Sequence, residues 1–330
     1  MEKTVLVCGG AGYIGAHMCK QLARAGWTVV TFDNLSTGHR QAVRWGPLVE
    51  GDLLDPAALA QVFAAHQFQA VLHFAARSLV GESVTEPGLY LRNNVTGTLN
   101  LLDAMRAAQV TRLVFSSTAA VYGEPRYTPI DEQHPTAPIN PYGLSKWMAE
   151  RQIAEYVRAH GLRAVCLRYF NAAGADRDAE IGEDHTPETH LIPNVIRAAL
   201  DPSAGPVKLF GTDYDTPDGS CVRDYIHVED LCRAHLAALD FLQKQAGFHV
   251  FNLGTGAGHS VLEVVQQCRA QCAGAPQAQV HPRRSGDPAV LVARADKADA
   301  QLGWTPELDL EAIIESALRW HRKVMDASIA

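Results

Sequence analysis

A doubly wound α/β fold built on a parallel sheet, followed by a smaller mixed α/β lobe, is the architecture this sequence predicts. Three observations lead to it. Short apolar strands alternate with helix-length stretches through the first half, a glycine-rich turn joins the first strand to the first helix, and the rhythm changes after about Asn171. At 330 residues the chain is also longer than one core usually supports. The expected division is residues 1–172 for the first lobe and 173–330 for the second, with the chain free to cross between them.

Residues 4–8 read as a buried strand, 13–25 as a helix stopped by Gly26, and 28–32 as a second strand ending at Asp33. Further strands are expected at 71–74, 113–117 and 164–169. Helices are expected at 56–66, 94–108 and 142–160, the last closed by Gly161. Alternation of this kind implies a parallel sheet covered on both faces. Residues 174–190 are polar and without a period, which suggests a long functional loop. Beyond it, helices at 191–200, 228–245, 260–272 and 310–325 alternate with short strands at 207–210 and 249–253.

Bulk properties exclude several function classes. The formal charge of -7 argues against nonspecific nucleic-acid or anionic-membrane binding. No stretch approaches the roughly 20 apolar residues of a membrane span. The apolar run at 4–8 is too short for a signal-peptide core and meets Gly9 and Gly10 at once. Seven scattered cysteines, with Cys8, Cys166 and Cys232 in apolar contexts, suit buried thiols in a reducing cytoplasm. Cys268 and Cys272, four apart on an expected helix, read as structural. Among fourteen histidines, His185 and His190 are the nearest pair in a polar loop, but their spacing matches no helical ligand motif. His73, at a strand end, reads as a core histidine. No metal is expected.

Gly9-Gly-Ala-Gly12-Tyr13-Ile14-Gly15 lies between an expected strand and helix. One glycine permits the tight turn, another lets the backbone approach a pyrophosphate, and a third lets the helix pack on the sheet with its N–H groups facing the phosphates. This is the Rossmann-type dinucleotide turn. Asp33, at the end of the second strand, is placed to accept from the adenosine ribose hydroxyls and to repel a 2′-phosphate, so NAD is expected rather than NADP. Asp52, after Gly51, fits either an acceptor for the adenine amino group or a plain cap.

Pro141-Tyr142-Gly-Leu-Ser-Lys146 opens a helix and sets Tyr142 and Lys146 one turn apart on one face. Thr118 follows the hydroxyls Ser116 and Ser117 at the C-terminal end of a strand, the edge where open parallel sheets bind ligands. A tyrosine that serves as a base near neutrality must be displaced by about 4 kcal/mol from its ordinary titration. An ammonium ~6 Å away at an effective dielectric of ~20 supplies about 2.8 kcal/mol of that, and the positive ring of oxidised NAD is available for the remainder. Tyr142 is therefore the expected acid–base, with Thr118 passing or holding the proton.

The ordered set Gly9 to Gly15, Asp33-Asn34, His73-Phe74-Ala75-Ala, Asn93-Asn94, Thr118 and Tyr142/Lys146 resembles the extended short-chain dehydrogenase/reductase family, and within it the NAD-dependent nucleotide-sugar epimerases. The second half carries the likeness onward through Leu167-Arg-Tyr169-Phe-Asn171, Ile181-Gly-Glu183-Asp, Arg223-Asp-Tyr-Ile-His227 and Arg283-Arg284-Ser-Gly-Asp287. The resemblance implies that UDP-glucose and UDP-galactose are interconverted by oxidation at C4, rotation of the tethered 4-keto sugar and re-reduction, with NAD retained. It places Tyr13, Ile14, Asn34, Leu53, Phe74 and Ala75 at the cofactor, together with Asn93 and Tyr169. Asn171, Arg223 and Arg284 would meet the diphosphate or sugar. Asp287 would accept from the uridine ribose, and His190 with Leu191 would line the nucleotide pocket. It also implies a homodimer, with the helices after Asn94 and at Tyr142 as interface elements.

Two positions depart from some members. Ser78 stands where certain epimerases carry a lysine near the cofactor phosphates, with Arg77 beside it as a candidate substitute. Leu291 aligns with the residue that gates the sugar 2-substituent, and its intermediate bulk leaves N-acetylated hexosamines open, as UDP-pentoses are. A nucleotide-sugar 4,6-dehydratase would need an Asp-Glu pair directly after the threonine, where this chain has Ala119 and Ala120. A redox-sensing regulator without catalysis would have no use for Tyr142, Lys146 and Thr118.

Overall fold

The first apolar run, β1 (Thr4–Cys8), occupies the interior of a seven-stranded sheet. A computed structural model describes residues 3–272, 278–284 and 287–329, so Ser285 and Gly286 of the arginine-bearing segment lie outside the described residues. The chain continues through α1 (Tyr13–Arg24), β2 (Thr28–Asp33), β3 (Leu48–Glu50), α2 (Pro56–Ala65) and β4 (Ala70–His73). Two short helices, α3 (Val80–Thr85) and α4 (Pro87–Tyr90), lead through a π-helical turn at Leu91–Thr96 into α5 (Gly97–Ala107). Then come β5 (Arg112–Thr118), α6 (Pro141–His160) and β6 (Arg163–Tyr169). The order across the sheet is β10-β6-β5-β4-β1-β2-β3, with β10 spanning Gly247–Leu253, and every pairing is parallel. The chain winds one way from β1 to β3 and the other from β4 to β6. A crevice therefore opens at the strand C-termini between β1 and β4.

The sheet forms because its strands are apolar on both faces. Val5, Val7 and Leu72 pack with α1 and α8 (Val228–Lys244) on one side, while Leu6, Val71 and Phe115 pack with α2, α5 and α6 on the other. Local signals set the helix ends. Asp55 accepts from the backbone N–H groups of Ala57 and Ala58 with Pro56 behind it, which starts α2. Asn140 accepts from Gly143 at 2.8 Å with Pro141 in the first turn, and Gly161, at φ 68°, closes α6. The helix expected from Asn94 begins three residues later. A π-turn precedes it, and the Asn94 side chain there bonds the Arg77 backbone and Ser145 Oγ instead of capping.

The second half builds β7 (Asn171–Ala173), α7 (Leu191–Leu200), β8 (Val207–Phe210), β9 (Val222–His227), α8, β10, β11 (Gly258–Ser260) and α9 (Val261–Gln271). It ends with β12 (Ala278–His281), β13 (Val290–Leu291), α10 (Asp296–Leu302) and α11 (Leu310–Ile329). Strands β7, β11 and β13 all pair with β9, β12 pairs with β8, and α7, α9 and α11 enclose a separate apolar cluster. One strand expected beside these lies elsewhere. β10 pairs with β6 along its whole length and extends the large sheet. Phe251 and Leu253 face one core cluster, Phe248 and Val250 the other, and a strand apolar on both faces needs cover on both.

Residues 174–190 form neither strand nor helix. The loop is held instead by side chains. Lys20 Nζ, buried on α1, donates to Asp176 at 2.7 Å and to Asp178 at 3.0 Å, and the Tyr13 hydroxyl donates to the Gly174 carbonyl at 2.6 Å. All seven cysteines are free and buried. No helix among the described residues is long and apolar enough to cross a membrane.

Candidate active site

A cleft of about 430 Å³ lies over the β1–β4 crevice and draws its walls from both halves of the chain. The glycine turn forms one end. Gly9 has φ 81°, and a Cβ there would meet the Ala75 nitrogen at 2.5 Å. A Cβ on Gly15 would come within 2.0 Å of the Gly9 carbonyl oxygen, so only glycine lets α1 start this close to the turn. Tyr13 and Ile14 complete that end of the cleft. Asp33 Oδ2 accepts from Ala11 N at 2.9 Å and Oδ1 from Leu35 N at 2.8 Å. Burial raises its pKa, and the two backbone donors oppose the shift. A carboxylate offers about four acceptor sites, so two remain for a ligand. The cradle without side chains, the first-turn N–H groups of α1 and the acid facing them fit a dinucleotide.

Asn34 Nδ2 donates to Asp52 Oδ2 at 2.9 Å, while Asp52 Oδ1 accepts from Leu54 N at 2.8 Å. Asp52 therefore caps its own loop and also borders the cleft, as do Asn34, Leu53, Phe74, Ala75 and Asn93. His73 is buried beneath the floor, with one ring nitrogen 3.0 Å from Thr98 Oγ1. Burial, with Lys146 second, pulls it down to about 3, so the ring is neutral.

At the centre stand Thr118, from the end of β5, and Tyr142 and Lys146, from the first turns of α6. The Thr118 hydroxyl stands beside the Tyr142 phenol. Thr118 Oγ1 also accepts from Ala120 N at 3.1 Å, which fixes its rotamer. Burial raises the Tyr142 pKa, and the Thr118 hydroxyl works against it. Lys146 Nζ donates to the Ser116 carbonyl at 2.7 Å and lies 4.7 Å from the Phe115 ring centre. Burial lowers Lys146 to about 7, with Cys166 and Glu150 opposing. The charged lysine expected to activate Tyr142 is thus itself held near its midpoint at neutral pH, because both groups are buried and each is pushed toward its neutral form. Behind them Glu150 accepts from Ser117 Oγ at 2.5 Å and from Arg168 Nε at 2.8 Å, which locks α6 onto β5 and β6. Tyr169, bonded to Ser116 through its hydroxyl, forms part of the floor.

The opposite wall holds Asn171, Arg223, Asp287 and Leu291, with His190 at the rim. Arg223 is paired with Asp287 and donates to the Val222 carbonyl at 2.7 Å, so the cation and the acid expected to act separately arrive as one unit. Leu291 packs with Phe170 over Tyr122 and Ile130. Two expected residues are absent from the lining. Leu191 packs against the second-half cluster, and the Arg284 guanidinium lies 4.0 Å from the Phe210 ring centre. Conversely, Arg77 and Ser78 both line the cleft. Glu183 and His185 join His190 in a cluster that periodicity did not disclose. The alternating spacing of Glu183, His185, Glu188 and His190 in a polar loop was the available signal. Burial works to raise Glu183, but His190 and His185 outweigh it and hold the carboxyl down to about 2. Burial works to lower His185, but Glu183 and Glu188 lift it to about 10.

A sequence model of the NAD dependent epimerase/dehydratase family matches residues 5–254. The chain belongs to this family. A UDP-glucose 4-epimerase of Rhizobium meliloti (strain 1021) is 52% identical over 322 residues, covering 98% of each chain. Among solved structures, the UDP-glucose 4-epimerase of Brucella ovis in complex with NAD is 49% identical with a TM-score of 0.93, covering 96% of this chain and 98% of its own. That of Bifidobacterium longum in complex with NAD+ and UDP is 39% identical with a TM-score of 0.93, covering 97% and 98%. Ala119 and Ala120 line this cleft and can transfer no proton.

Proposed function

We propose that this chain interconverts UDP-galactose and UDP-glucose by inversion at C4, with NAD retained through the cycle. The observation that carries the reading is the convergence of Thr118, Tyr142 and Lys146 on a cleft in which the two positions after Thr118 are alanines. One acid–base pair suffices for oxidation and re-reduction at a single carbon, whereas elimination across C5 and C6 needs a second acid and base. Bound NAD supplies hydride acceptance at C4 and its return. Tyr142 takes the proton of the sugar 4-hydroxyl at its phenol oxygen and gives it back, and Thr118 holds that hydroxyl in line. Lys146, anchored on the Ser116 carbonyl, adjusts the charge beside the phenol. Asn171 and Arg223 receive the nucleotide diphosphate while Asp287 accepts from the uridine ribose, which leaves the sugar room to turn against Leu291.

Purified protein given UDP-galactose and no added NAD should produce UDP-glucose. Absence of turnover from folded protein even with NAD supplied would overturn the reading. Asp33→Asn should lower NAD affinity about tenfold or more, the loss of a charged hydrogen bond worth about 1.5–3 kcal/mol, and should narrow discrimination against NADP. Fluorescence titration reads both; an unchanged NAD affinity would remove Asp33 from the cofactor site.

Residues 1–172 serve as the cofactor lobe and 173–330 as the substrate lobe, with β10 returned to the first. A homodimer is supported by the exposed Leu144 and the groove between Trp147, Met148 and Tyr156 on α6. Seven free, buried thiols support a cytoplasmic setting.

A further inference from the structure

We propose that Glu183, His185, Glu188 and His190 form a site for a divalent transition-metal ion of the zinc class in the wall of the cleft. Each side chain offers one ligand atom, and these atoms all lie within 4.8 Å of one another. Ligands about 2.0–2.1 Å from a tetrahedral ion sit roughly 3.3 Å apart. His185 Nδ1 lies 3.2 Å from Glu183 Oε1 and 3.8 Å from Glu188 Oε1, and His190 Nδ1 lies 3.8 Å from Glu188 Oε1. The direct contact between His190 and Glu183 has to open to admit the ion. Two imidazoles with two carboxylates are a borderline donor set, which favours zinc over magnesium or calcium.

A second observation points the same way. The Glu188 side chain is 2% exposed, yet its Oε2 is buried and makes no hydrogen bond. That oxygen's one ion pair among the described residues is a long one, to Arg197 Nη2 at 3.9 Å. Glu188 Oε1, the oxygen nearer the two imidazoles, accepts from the backbone N–H groups of Thr189 at 2.8 Å and His190 at 2.9 Å, so that oxygen is held in place before any ligand arrives. The contrast is with Asp176, Asp178 and Glu180, the other such cluster among the described residues. There Lys20 Nζ sits among three carboxylates, and no imidazole is present to supply a nitrogen ligand. A divalent ion among Glu183 and Glu188 balances both carboxylates with both rings neutral. It would brace the loop at 174–190 where His185 meets the Tyr13 ring, 6.2 Å between centres, beside the glycine turn.

The test uses the full chain, purified without a histidine tag, stripped with chelator and then titrated with zinc against a chromophoric competitor. A single ion per chain is expected, and cobalt(II) in its place should show the visible bands of a four-coordinate site. Glu188→Gln and His185→Gln should each weaken zinc binding at least about tenfold, with circular dichroism unchanged. Failure of the parent chain to retain zinc, or equal zinc binding by both variants, overturns the proposal. Neither result touches the epimerase reading, which the turnover assay tests separately.

Discussion

Replacing Tyr142 by Phe should cut kcat by about 10²- to 10⁴-fold, the usual contribution of a positioned acid–base group. The ring is retained, so its packing edge-on to Tyr90, 6.4 Å between centres, survives. What disappears is the phenol oxygen beside Thr118. Cofactor content and KM should therefore change little, and the loss should fall on kcat. Steady-state rates with UDP-galactose, alongside the NAD released on denaturation, separate the two effects. Activity within tenfold of the parent would remove Tyr142 from the reaction. Lys146→Met should differ in kind. It leaves the Ser116 carbonyl without its donor and removes the charge beside the phenol, so the pH profile should shift as well as the rate.

The second large effect is expected at Gly15. Gly15→Ala would put a methyl group 2.0 Å from the Gly9 carbonyl oxygen and 2.9 Å from the Gly10 Cα, contacts with backbone that no rotamer can relieve. The turn or α1 has to move. Overpacking of this kind costs about 1–3 kcal/mol of stability. Because the moving backbone is the part that meets the pyrophosphate, NAD affinity should fall by about 100-fold or more, corresponding to about 2.7 kcal/mol. Thermal denaturation and NAD titration of the same variant read the two quantities. Gly26→Ala is the control, since a Cβ at Gly26 meets nothing within 4 Å. It should show only the cost of its φ of 79° and leave NAD binding intact. Parent-like NAD affinity in Gly15→Ala would show that the turn is not where the dinucleotide lies.

Much of the fold and a good part of the site could be read from local patterns. Residues 5–8, 29–30 and 164–167 are unbroken apolar runs because both faces of a parallel strand are covered. Asn140 before Pro141, and Gly161 after the last turn, mark both ends of α6. That helix sets Tyr142 and Lys146 one turn apart whatever surrounds it. The start of α5 was less legible, since its π-turn depends on Asn94 reaching across to Ser145 on another helix.

The glycine turn, the acid after β2 and the tyrosine–lysine spacing are properties of neighbours in the chain, and the sequence by itself determined them. Burial and distant pairing belong to the folded molecule. Lys146 titrates near 7 only because the packed core strips water from its ammonium group. Arg223 and Asp287, far apart in the chain, meet across the end of β9 and share one charge balance. Phe248 to Leu253 joins the large sheet because both its faces need cover that the second half does not provide. The two histidines of the polar loop, which match no helical ligand motif, converge with Glu183 and Glu188 once the loop folds back over Tyr13. Dihedral preferences and caps act over a few residues. Desolvation and charge balance are decided only when remote segments close on one another.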